Sequence, residues 1–92
     1  MSKPPFLSII IPIFNLEKFI IETLESITNQ QINCSYEIII IDDRSTDNSL
    51  NLIHKFSKKN KYIRVLKNQR TKGVSGWRNT GILNAKGKWI TF

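Results

Sequence analysis

Asp42 and Asp43 close the apolar run Tyr36-Glu37-Ile38-Ile39-Ile40-Ile41. Charge at the end of a buried strand needs water, a cation or a donor nearby, because burying it unpaired is costly. In an extended chain adjacent side chains point to opposite faces, so the two acids cannot share one role. One is expected to face a crevice and accept hydrogen bonds from a ligand, as a carboxylate does from the imide N–H of a uracil or the donor edge of a guanine. The other is expected to cap the following turn or to pair with Arg44. A simple capping pair at a strand–helix junction accounts for the same two residues equally well.

Two further stations could carry chemistry. In Pro12-Ile13-Phe14-Asn15, Pro12 cannot donate to a strand ladder and is expected to end the pairing there. Phe14 offers a flat face for stacking on a base, and Asn15 can cap a helix. Read in isolation, the same residues are a terminator, a core ring and a cap. The third station is Gly73-Val74-Ser75-Gly76-Trp77-Arg78-Asn79-Thr80-Gly81. Glycine and serine before a helix permit close backbone approach, and free amides at its start favour anions. Arg78 can bind a diphosphate with two donors, and Asn79 can donate to and accept from a ribose or base. The plainer reading makes Gly81 a helix packing contact, Arg78 a surface residue and Trp77 core. His54 has no Cys, Asp or Glu at metal-ligand spacing. The sequence supports neither zinc chemistry nor a Ser-His-Asp set.

The elements that must position these residues follow from the apolar pattern. Ser8-Ile9-Ile10-Ile11-Pro12-Ile13 and Tyr36 to Ile41 are apolar on both faces, as strands of a parallel sheet covered by helices are. Strands are expected at 7–13, 36–41, 62–67 and 88–92. The first helix carries Leu16, Ile20, Leu24 and Ile27 at helical spacing. Ser45, Thr46 and Asp47 are cap candidates for a second helix bearing Leu50, Ile53 and Phe56. A third opens at Ser75 or Gly76 and runs to 84–86, with Gly87 as a left-handed terminator. The order β-α-β-α-β-α-β requires crossover connections. It predicts an α/β fold: a Rossmann-like three-layer α/β/α arrangement with a mostly parallel open sheet. Ligands of such sheets bind where the strands' carboxyl ends open into loops.

The 92 residues make one domain at most, expected to span 1–92, and 40% of them are hydrophobic. No stretch approaches the roughly 20 apolar residues that span a bilayer, and no signal peptide is evident. The lone Cys34 cannot form an internal disulfide and suits a reducing cytosol. Net charge is +7. All seven acids lie at or before Asp47, and eleven Lys and Arg residues follow Asn48. Eight of those fall between Lys55 and Lys72, a segment whose plain reading is a solvated helix end and strand face. The alternative function is a non-catalytic interaction module, which would use this segment against anionic partners and an open sheet edge against another chain.

Together the three stations resemble the N-terminal part of the family 2 glycosyltransferases, whose nucleotide-sugar-binding fold is called GT-A. The matching residues are Ser8 to Glu17, Glu37 to Asp47, Gly73 to Gly81 and Ala85 to Phe92. The resemblance implies transfer of a sugar from a nucleotide donor, expected to be a UDP-sugar, to a saccharide or lipid-linked acceptor. By resemblance, Pro12 and Phe14 flank the base, and Asp43 accepts the uracil N–H. Asn15 stands beside them, Glu17 approaches the ribose, and Gly73, Arg78 and Asn79 line the nucleotide from the other side. Phe14 replaces a commoner tyrosine, Arg44 stands where glycine is frequent, and Gly76-Trp77 replaces two small residues. A divalent metal (Mg²⁺ or Mn²⁺) is expected for the full-length enzyme, with its Asp-x-Asp ligand motif and the general base beyond Phe92. The expectation is therefore the nucleotide-binding portion of an inverting enzyme, inactive by itself and without catalytic or metal residues of its own. Further expectations are a cytoplasmic location extending to the inner face of the membrane with peripheral membrane contact, and homo-oligomers through the exposed sheet edge. Nucleic acid is not expected as a partner.

Overall fold

A computed structural model describes residues 4–68 and 74–92. Seven elements alternate: β1 (Leu7–Ile13), α1 (Ile20–Thr28), β2 (Tyr36–Asp42), α2 (Ser49–Ser57), β3 (Ile63–Lys67), α3 (Val74–Asn84) and β4 (Trp89–Thr91). The strands form one sheet in the order β3-β2-β1-β4, and every pair is parallel. The chain therefore builds outward from β1 through β2 to β3, then crosses back to the other side of β1. That reversal is the topological switch point of an open α/β sheet, and it lies between β1 and β4.

Isoleucine builds the interior. Ile38, Ile39, Ile40 and Ile41 are all fully buried, and β-branched side chains pack well on a pleated surface. Alternation sends Ile38 and Ile40 to one face, where they meet Ile13, Ile20, Leu24, Ile53 and Ile63 beneath α1 and α2. Ile39 and Ile41 go to the other face and join Ile10, Leu66 and Trp77 beneath α3. This is the three-layer arrangement expected from the sequence.

Two glycines let α3 and its exit lie close to β1. A Cβ at Gly81 would sit 2.6 Å from Ile10 Cγ2, so this glycine is a helix packing contact. A Cβ at Gly87 would sit 2.6 Å from the Ser8 amide nitrogen and 2.8 Å from the Leu7 carbonyl carbon. Gly87 is not in the left-handed region; close approach, and not helix termination, requires it.

A polar network at the amino-terminal edge of the sheet fastens the same segment. Glu37 is buried. Its Oε2 accepts from the Ser8 hydroxyl at 2.6 Å and the Lys86 amide at 2.6 Å, and its Oε1 accepts from Arg64 Nη1 at 2.8 Å. Arg64 also donates to the Asn84 carbonyl, and the Gly87 amide donates to Ser8 Oγ. Burial pushes the Glu37 carboxyl up, but the Ser8, Lys86 and Arg64 donors outweigh it and hold it below the ordinary value. A carboxylate in a strand thus locks the end of α3 to β1, β2 and β3.

Candidate functional site

The last paired residues of β1 and β2 are Ile13 and Asp42. The Asp43 amide then donates to the Ile13 carbonyl at 2.8 Å. Phe14 and Asp43 are thus the next residues along two neighbouring strands, at one carboxyl edge. Phe14 is 42% exposed, and Asp43 is buried. The ring and the acid expected to share a crevice do leave the sheet side by side.

Pro12 does not end the pairing. It lies inside β1, opposite Ile41. Neighbouring residues of a central parallel strand bond to opposite sides. Leu7 N and Ile13 O are paired on the β2 side, and Phe6 O accepts from Trp89 N on the β4 side. Pro12 has the parity of Phe6, so its missing N–H faces β4, which pairs only with Leu7 to Ile9. The proline costs no ladder bond and keeps the carboxyl end of β1 open toward the switch point.

The two acids divide as their alternation requires. Asp42 lies on the α1/α2 side, and its Oδ2 accepts the Ser45 amide at 3.1 Å, capping the turn. Its Oδ1 is buried without a hydrogen-bond partner among the described residues, a cost of about 1–3 kcal/mol. Asp43 lies on the α3 side, where its Oδ1 accepts from Asn68 Nδ2 at 2.7 Å. Asn68 is fully buried. Its amide donates to the Asp42 carbonyl, extending the ladder one residue past β3, and its carbonyl accepts from Arg44 Nε. Its Oδ1 lies 3.2 Å from the Thr80 hydroxyl on α3. Asn68 lies one residue beyond the strand expected over 62–67. The available signal was its place directly after β3, level with Asp43 on the neighbouring strand. Arg44 adopts a φ of 63°, a conformation that favours glycine. Arg44, Ser45, Lys67 and Asn68 line a cleft of about 480 Å³.

Asn15 does not cap α1. That helix starts at Ile20 after Phe19, without a side-chain cap. Asn15 instead has a φ of 49° and reaches across to the β2–α2 loop. Its Oδ1 accepts the Thr46 amide at 2.7 Å, and its Nδ2 donates to Thr46 Oγ1 at 3.1 Å. Glu17 joins the same seam: its Oε1 accepts the Asn48 amide at 2.9 Å, and its own amide donates to Asp47 Oδ2 at 3.1 Å. Asp47 Oδ1 accepts the Ser49 amide at the start of α2. What burial Asp47 has raises its carboxyl, but the Ser49 hydroxyl and the amides of Ser49, Glu17 and Asp47 itself lower it overall. The two loops are thereby laced into one rim, beside a cavity of about 310 Å³ lined by Asn15, Glu17, Lys18, Phe19 and Asp47.

Arg78 and Asn79 are exposed on α3. The Arg78 guanidinium lies 5.5 Å from the Trp77 ring centre and 5.0 Å from that of Phe92. Phe92 follows β4, so Arg78 stands on the far side of the switch point from Phe14. Gly73 lies outside the described residues. Among the described residues no group of three His, Cys, Asp or Glu side chains could hold a metal ion. Asp42 and Asp43 face opposite sides of the sheet, so this pair does not fit one.

A family model described as Glycosyl transferase family 2 matches residues 8–92. The chain belongs to glycosyl transferase family 2. It is 41% identical over 88 residues to a poly(ribitol-phosphate) beta-glucosyltransferase of Bacillus spizizenii, covering 94% of this chain and 14% of that protein. It is 44% identical to a dolichyl N-acetyl-alpha-D-glucosaminyl phosphate 3-beta-D-2,3-diacetamido-2,3-dideoxy-beta-D-glucuronosyltransferase of Methanococcus voltae, covering 92% of this chain and 27% of the relative. The chain thus spans about a quarter or less of each of these relatives. Among solved structures, S. aureus TarS 1-349 in complex with UDP-GlcNAc superposes with a TM-score of 0.78 at 31% identity, over 94% of this chain and 25% of that one. A Pyrobaculum calidifontis mannosyltransferase in complex with GDP-Man and Mn²⁺ has a TM-score of 0.80 at 20% identity, over 97% of this chain and 27% of that one. The fold is that of the GT-A glycosyltransferases.

Proposed function

We propose that this chain forms the nucleotide-binding portion of an inverting glycosyltransferase, with a UDP-sugar as donor and a saccharide or lipid-linked acceptor. The observation that carries the reading is the pair Phe14 and Asp43, set side by side at the carboxyl edge next to the switch point. Phe14 supplies a stacking face for the base. Asp43 accepts the uracil N3–H. Arg78 adds positive charge across the switch point, where a diphosphate would lie. Asn15 and Glu17 act by holding the rim in shape, since their side chains bond to the neighbouring loop. S. aureus TarS, which superposes on this chain, is known in complex with UDP and with UDP-GlcNAc, and this supports the choice of base. Divalent-metal ligands and the general base are assigned to parts of the enzyme outside this chain. The chain alone is therefore expected to bind nucleotide weakly and to transfer no sugar.

Titration with UDP, followed by amide NMR, tests the reading. Shifts are expected at Phe14, Asp43 and Asn68, and Asp43→Asn is expected to weaken binding about tenfold. A flat response at millimolar UDP would overturn nucleotide binding by this chain.

A further inference from the structure

We infer that Asn68 is a specificity-determining residue, which positions Asp43 as an acceptor and so selects a base that presents a donor, uracil, over one that presents an acceptor, cytosine. The inference rests on the assignment of Asp43 to the base. Asn68 is fully buried, and the 2.7 Å contact between its Nδ2 and Asp43 Oδ1 is itself buried. The opposite amide orientation would set a carbonyl oxygen against a carboxylate oxygen at that distance, so the donor must face Asp43. Asn68 in turn has little freedom to move. Its backbone is fixed on both sides, by the Asp42 carbonyl and by Arg44 Nε. Its side chain is wedged between Asp43 and Thr80 of α3.

Holding Oδ1 fixes the plane of the Asp43 carboxylate, and hence the direction in which the whole group accepts. A carboxylate only accepts hydrogen bonds. A carboxylate held in this plane pairs with the N3–H of uracil and repels the N3 lone pair of cytosine. A buried polar group left without its partner is what makes such rejection strong. Asn68 touches neither reacting atoms nor sugar in this scheme; it acts through Asp43.

The test uses UDP, CDP and N3-methyl-UDP, which lacks the donor, with affinities read by NMR titration. The unaltered chain is expected to bind UDP about tenfold more tightly than N3-methyl-UDP or CDP. In Asn68→Ala that ratio is expected to fall to about twofold, with the affinity for N3-methyl-UDP nearly unchanged. Asn68→Ser, whose hydroxyl stops short of Asp43, carries the same measurement should the alanine variant lose its dispersed spectrum. If the unaltered chain binds all three nucleotides equally, the assignment of Asp43 to the base fails. If it discriminates and the Asn68 variant discriminates equally well, the role of Asn68 fails while the base assignment stands. Equal weakening of all three nucleotides in the variant marks Asn68 as structural only and also overturns the inference.

Discussion

Glu37→Gln tests whether charge, and not shape, locks α3 to the sheet. Glutamine keeps the volume and presents one oxygen and one amide group. With the oxygen at the Oε2 position, the bonds from Ser8 Oγ and the Lys86 amide survive as neutral ones, each weaker by about 0.5–1 kcal/mol. The new amide then faces Arg64, donor against donor, where an ion pair of 2.8 Å had been. Arg64's side chain is 31% exposed, so solvent screening limits that pair to about 1 kcal/mol or less. The sum is about 2 kcal/mol, a large share of the roughly 5–10 kcal/mol expected of a domain this size. With a urea slope of about 1–1.5 kcal/mol per molar, the midpoint at pH 7 should drop by about 1.5 M. The pH dependence separates charge from packing. The folded-state pKa of Glu37 lies below its ordinary 4.5. Its contribution is therefore fully present above that value and is lost as pH falls through the folded pKa. Protonated Glu37 is nearly isosteric with glutamine, so the two urea curves should converge as pH falls from 7 toward 3. An equal gap at both pH values, or no gap at pH 7, would refute the reasoning.

Gly81→Ala should destabilise by about 1–2 kcal/mol in thermal melts. The 2.6 Å collision with Ile10 overpacks a full core and outweighs the roughly 1 kcal/mol that alanine gains over glycine in a helix. A neutral result would mean that β1 and α3 separate more easily than the buried Ile10 implies. At position 44 the comparison is between Arg44→Ala and Arg44→Gly, both of which remove the side chain. With φ at 63°, the glycine variant should be more stable by about 1 kcal/mol in urea. Asn15→Ala removes the acceptor of the Thr46 amide and the donor to Thr46 Oγ1. It should cost about 1–2 kcal/mol and speed hydrogen exchange at Thr46 while leaving α1 unchanged, because Asn15 is not that helix's cap.

The order of elements, their three layers and the carboxyl-edge placement of Phe14 and Asp43 were legible along the chain. Hydrophobic periodicity is a local property, and a run buried on both faces leaves few topologies open. That Asp42 and Asp43 face opposite sides of the sheet also followed from strand alternation. What the chain could not disclose was which distant polar groups would meet. Asn15 looks like a helix cap because the residues after it have helical spacing, yet a loop 31 residues away takes its side chain. Glu37 looks like an ordinary polar strand residue until the segment leaving α3 returns an amide 49 positions later. Asn68 looks like a loop residue until β3 sets it level with Asp43. Pro12 looks like a strand terminator until the short reach of β4 makes its missing donor harmless. Short-range pattern fixed what each segment became. Only the packing of the finished sheet decided which hydrogen bonds were made, because a partner is chosen by distance in space and the sequence records only distance along the chain.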